Sequence, residues 1–233
     1  LVESLPSHRN RCAKRSKPIN AYFSHMRLQK IAAVFAVLLW FSVIGQLYLI
    51  IENRQQSLTT TIIRFFTYFT ILTNILVAIC YTAIAWFPLS AAGKFFQRAS
   101  PFTAVTVYIC IVGIVYQLLL RHVWNPQGFQ KLVDELLHTV NPLAALAVWW
   151  WLKPAGKIPF TQLLPWLVYP VLYLGWVLTY GAYSGYYPYP FVNVSQLGYP
   201  VTLLHALYIA LFFLLLGSIL ILTANRRHRN AIS

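Results

Sequence analysis

Three short stretches carry the side chains of this chain that could do chemistry: Thr67, Thr70, Thr73 and Asn74; then His138, Asn141 and Pro142; then His205. All lie in or beside apolar runs. Hydroxyl, amide and imidazole groups are costly in hydrocarbon, and where they occur they mark ligand, ion or proton sites by default. Positions 67, 70 and 74 follow i, i+3, i+7 and share one face of a helix, as do 138 and 141. Pro142 has no N–H, so the His138 carbonyl loses its helical partner, and the kink gives room beside the imidazole for a ligand or a water. Each group also has a plain structural reading. Threonine in a membrane helix bonds back to an i−4 carbonyl. Asn74 can tie two helices together, and either histidine can be a solvated or satisfied side chain. The Tyr- and Pro-rich stretch 181–191, which includes Tyr187 and Tyr189, can be a rigid cap.

What decides between these readings is where the helices bring the polar groups. Of 233 residues, 59% are hydrophobic and 9% charged, with a mean hydropathy of +0.62. A soluble domain carries roughly 25% charged residues, so a secreted or cytosolic enzyme, a disordered chain and a coiled coil are excluded. Long apolar runs without strict alternation read as helices, and in lipid only helices and closed barrels satisfy the backbone. The expectation is an all-α polytopic membrane protein of six transmembrane helices. The predicted spans are Ile31–Ile51, Phe65–Leu89, Phe102–Leu120, Leu136–Leu152, Leu163–Tyr180 and Val201–Thr223. The last two divide a stretch from Ile158 to Asn225 that has no Lys, Arg, Asp or Glu, split by the helix breakers of 181–191. Residues 31–224 then form one membrane domain, between a basic segment 1–30 and a basic cytoplasmic tail 225–233. Residues 1–25 precede the first methionine, Met26, and are read either as upstream sequence or as a basic tail. Cys12, Cys80 and Cys110 have no paired spacing, so neither a disulfide framework nor a metal site is expected, and no cofactor is implied.

The net charge of +14 is distributed between the apolar runs rather than along one face, which points to topology rather than to nucleic acid. With the N-terminus inside, fourteen Lys and Arg fall on inner segments and four (Arg54, Arg64, Arg121, Lys131) on outer ones. Both termini are therefore expected in the cytoplasm, in a multi-pass protein of the cell membrane whose partner is the bilayer. Trp86, Trp124, Trp149–Trp151 and Trp166 suit interfacial belts, while Trp40 sits deeper. Spans two, four and six then enter from outside. At 1.5 Å per residue, Thr70 is roughly 8 Å, His205 roughly 6 Å and His138 roughly 3 Å below the start of its span. The polar groups of three spans converge near the outer face, and the inner half has little comparable. Asp134 and Glu135 are read as anions at the start of span four, where the helix dipole favours them.

The stretches Phe65-Phe-Thr-Tyr-Phe-Thr-Ile-Leu-Thr-Asn74, Leu137-His-Thr-Val-Asn-Pro142 and Tyr187-Pro-Tyr-Pro-Phe191, in this order, resemble the androgen-induced-gene membrane family, and most closely its bacterial six-span members. The similarity runs over most of Met26–Thr223. Characterised members of that family hydrolyse fatty-acid esters of hydroxy fatty acids with a threonine nucleophile and a histidine base. The resemblance implies that Thr70 and His138 are these two, with Thr67 an alternative register for the nucleophile.

A threonine hydroxyl is a weak nucleophile without an adjacent base. In this reading His138 takes the Thr70 proton, and Asn74, His205 or a loop tyrosine, Tyr187 or Tyr189, supplies contacts to substrate and oxyanion. A lipid ester would enter sideways from the outer leaflet. The alternatives are a non-enzymatic binder or carrier of a small lipid, and a structural membrane subunit. Primary ion transport is disfavoured, because no charged residue lies at the middle of a span.

Overall fold

A computed structural model describes the backbone of residues 8–152 and 156–230, with side chains from Leu28 onward. Lys153 and the last three residues of the basic tail lie outside the described residues, as do the side chains before Leu28 and with them the reading of Met26 as a start. The described residues form helices α1 (His8–Glu52), α2 (Leu58–Phe65), α3 (Phe69–Trp86), α4 (Ala91–Phe96), α5 (Ala99–Val115), α6 (Gly128–Glu135), α7 (Asn141–Leu152), α8 (Leu163–Ser184) and α9 (Val194–Asn230). No strand occurs among the described residues. Among the described residues, five helical segments are long and apolar enough to cross a membrane: Leu28–Glu52, Phe69–Trp86, Ala99–Leu120, Phe160–Ser184 and Val194–Asn230.

α5 is the hub. Nearly every residue from Phe102 to Gly113 is buried, and α3, α7 and α9 all pack on it, while α1 lies along α3. Small residues and hydroxyls let these helices approach, and polar side chains tie them across the interface. The Trp40 indole of α1 donates to Thr82 of α3 at 3.0 Å. Trp149 of α7 donates to Thr103 of α5 at 2.9 Å, and the Tyr108 hydroxyl donates to the Trp166 carbonyl of α8 at 2.7 Å.

Three predicted elements differ. The span expected from Phe65 is broken at Phe66–Tyr68, so its helix begins at Phe69. No Gly or Pro marks this break. It is satisfied from α8, where Tyr173 donates to the Thr67 carbonyl at 2.9 Å and Trp176 to the Phe66 carbonyl at 3.3 Å. Thr67 therefore shares no helical face with Thr70 and Asn74; its hydroxyl donates to the Arg64 carbonyl at 2.6 Å.

The segment expected to start at Leu136 starts earlier, at Gly128. α6 runs into a π-helical turn, Leu136–Val140, and on into α7. Asp134, Glu135 and His138 are thus in the body of a continuous helical stretch rather than in a first turn. α9 is kinked at Gly198 (φ 71°), just before Pro200, and then continues to Asn230, through residues assigned by sequence to the tail. Near its end Arg227 lies over the Trp150 ring at 4.2 Å.

Candidate functional site

His138 sits in the π-helical turn between α6 and α7. Its Nδ1 lies 3.0 Å from the Asp134 carbonyl and 3.1 Å from Asp134 Oδ1. Both partners are acceptors, so in the neutral ring Nδ1 carries the proton and Nε2 the lone pair. Asp134 is 4% exposed, and its other carboxylate oxygen accepts a hydrogen bond from the Tyr116 hydroxyl. The Tyr116 ring then stacks on the imidazole, with centroids 4.0 Å apart and planes at 12°. One tyrosine thus holds the carboxylate with its hydroxyl and the histidine with its face.

This group is braced toward solvent. Arg121 pairs with Glu135 at 2.5 Å, Thr139 donates to Glu135 at 2.7 Å, and Gln117 donates to Thr139 at 2.9 Å. Asp134 and Glu135 therefore act through side-chain partners, which corrects their reading as dipole-stabilised anions in a first turn. Behind His138, the Pro142 ring packs on α5 where Gly113 has no side chain: a Cβ there would meet Pro142 at 2.9 Å and the His138 carbonyl at 3.2 Å.

Thr70 is the second residue of α3, 7% exposed, at a helix end whose first N–H groups have no helical partner. Its N–H donates to the Tyr189 hydroxyl at 3.3 Å, and its own hydroxyl is 3.4 Å from the same atom. Tyr189 is held by Phe191 stacked on one side and Tyr68 set edge-on, and Tyr68 shares a 2.5 Å hydrogen bond with Tyr186. Burial pushes the Tyr189 phenol up to about 12, so its proton is kept at neutral pH.

Thr70, Tyr116, Asp134, His138 and Tyr189 line one cavity of about 860 Å³, together with Arg64, whose guanidinium lies over the Tyr186 ring at 4.2 Å. Thr70 and His138 share this space without a direct hydrogen bond: the threonine is bonded to Tyr189 and the imidazole to Asp134. Thr70, Tyr116, Leu120 and Tyr189 also border a second, apolar pocket of about 150 Å³.

The other expected site residues lie elsewhere. Asn74 is buried in a core network: it donates to the Thr70 carbonyl at 2.9 Å and the Leu137 carbonyl at 3.4 Å, and it accepts from Asn141 at 2.8 Å, which also donates to Ser42 at 2.9 Å. His205 Nδ1 is 3.1 Å from the Phe191 carbonyl and braces the loop. The Tyr187 ring packs on Gly181 of α8, in the space a Cβ would fill.

Asp134 and Tyr116 were not among the sequence candidates. Asp134 had a legible signal, its i, i+4 spacing to His138, which counts only once the helix is known to begin at Gly128. Tyr116 had none beyond being aromatic near the end of an apolar run. Among the described residues, no three His, Cys, Asp or Glu side chains group closely enough to hold a metal ion. Comparison with protein-family models, curated proteins and solved structures finds no match for this chain.

Proposed function

We propose that this chain is a membrane-embedded hydrolase of lipid esters, with Thr70 as nucleophile and His138 as base. The observation that carries the reading is that a threonine hydroxyl and a histidine oriented by a buried carboxylate line the same cavity. His138 Nε2 takes the Thr70 proton as Oγ1 attacks the ester carbonyl. The bond to the alcohol oxygen then breaks, and the alcohol leaves with that proton. Water adds to the acyl-threonine by the same route in reverse, releasing the acid and restoring the Thr70 hydroxyl. Asp134 stabilises the imidazolium in both halves, and the protonated Tyr189 hydroxyl is the oxyanion donor at hand. Catalytic hydrogen bonds tighten in the substrate complex, which is where Thr70 would exchange Tyr189 for His138.

The resemblance to the androgen-induced-gene family supports the same two residues and suggests fatty-acid esters of hydroxy fatty acids as substrates. In this reading Gly128–Leu152 is a sixth span, both termini are cytoplasmic, and the cavity faces the outer leaflet of the cell membrane, in line with the bias of cations toward the inner segments. A non-enzymatic lipid carrier is favoured by one observation, that the Thr70 hydroxyl is bonded to Tyr189 rather than to His138.

The test is hydrolysis of lipid esters by purified protein. Thr70→Ala and His138→Ala should each abolish it, and the double variant should cost little more than either single, because residues acting as one unit are non-additive. Full activity in Thr70→Ala would leave the carrier reading.

A further inference from the structure

The two pockets that meet at Thr70 differ in chemistry. The larger has a mostly apolar lining but carries charged and polar groups in it, Arg64, Asp134 and His138 among them. The smaller is walled by α5, α8 and α9, through residues such as Val112, Pro170, Leu174, Ala206, Ala210 and Phe213. Its tyrosine hydroxyls are all engaged: Tyr116 with Asp134, Tyr173 with the Thr67 carbonyl and Tyr189 with Thr70. A space lined this way offers a ligand hydrocarbon contact and little else. Thr70 lines both this space and the larger cavity.

We infer that the small pocket is a slot for the acyl chain of the ester, while the larger cavity takes the alcohol portion and the attacking water. This rests on the hydrolase reading and deepens it. An ester carbonyl at Thr70 has two substituents, and the two pockets part there. The chain that stays on Thr70 after the first step enters the slot, and the alcohol departs through the larger cavity, from which water then arrives. The slot volume of about 150 Å³ equals that of an apolar cavity that holds benzene, so it takes on the order of six carbons. Selectivity therefore lies in the first carbons of the acyl chain.

Two measurements test this on the full chain in detergent. The first is kcat/KM for p-nitrophenyl esters of increasing acyl length. It should rise about fourfold per added methylene, the value of one buried CH₂, and level off near about six carbons. Ala210→Trp and, separately, Ala206→Trp should flatten that rise. The second measurement needs no turnover and no substitution in the slot. A fatty acid of about six carbons bearing a diazirine near its methyl end is photo-crosslinked to the unaltered chain, and the adducts are mapped. Insertion into the slot-facing residues of α5, α8 and α9 is expected.

Turnover with no dependence on chain length, or with the dependence kept in both Trp variants, overturns the slot and leaves the hydrolase. Crosslinks in the slot without turnover keep it as an acyl-binding site and remove the hydrolase. Crosslinks confined to other surfaces overturn the slot whether or not the chain hydrolyses esters.

Discussion

Nδ1 of His138 lies 3.1 Å from the carboxylate of Asp134, one helical turn earlier, and that carboxylate is buried with its second oxygen on the Tyr116 hydroxyl. An imidazole held in this way has a fixed tautomer and a stabilised cationic form, the two things a base beside a nucleophile requires. Asp134→Asn keeps the shape but offers His138 an amide. It should lower kcat by on the order of 10³–10⁴-fold with little change in KM. Tyr116→Phe leaves one carboxylate oxygen unpaired and should lower kcat less. Equal effects of both substitutions on KM alone would assign Asp134 to substrate binding instead.

Thr67→Ala should retain activity. Its hydroxyl is tied to the Arg64 carbonyl in the break between α2 and α3, and Thr67 does not line the cavity that holds Thr70 and His138. Steady-state hydrolysis of one ester by Thr67→Ala and Thr70→Ala decides which threonine register carries the nucleophile.

Gly113→Ala should destabilise the protein by about 1–3 kcal/mol, the usual cost of overpacking. The new Cβ meets the rigid Pro142 ring at 2.9 Å and crowds the His138 carbonyl. Thermal unfolding in detergent reads the shift, and an unchanged melting temperature would show that α5 and α7 part without strain. Asn141→Ala removes the bonds to Asn74 and Ser42 together and should cost about 1–2 kcal/mol in the same assay.

The apolar runs made the helical, membrane-compatible class legible, because a stretch such as 163–180 has no charge to place on a solvated face. The helix end at Gly185, in the left-handed conformation (φ 70°), was legible as a breaker in the Gly- and Pro-rich stretch. The break at Phe66–Tyr68 was not, since it occurs among aromatics and is held by Tyr173 and Trp176 from a helix about a hundred residues on. Nor was the start at Gly128. Lys131, Asp134 and Glu135 read as the edge of a span, while in the fold Asp134 is buried between His138, one turn on, and the Tyr116 hydroxyl, a partner that only the tertiary structure supplies. The two π-helical turns, Tyr116–Leu120 and Leu136–Val140, lie where a 3.6-residue period sees no signal, and they hold the stacked Tyr116–His138 pair.

The orientation is tested by a reporter fused after Ser233. A cytoplasm-active reporter should function there, and activity only of a periplasm-active one would reverse the proposed topology.

The most direct measurement of the central proposal is labelling of the intact protein in detergent with a fluorophosphonate, followed by peptide mass spectrometry. The account predicts one covalent adduct on Thr70, lost in His138→Ala and in Asp134→Asn and kept in Thr67→Ala. An adduct on any other residue, or none on a protein that still binds lipid, would contradict it.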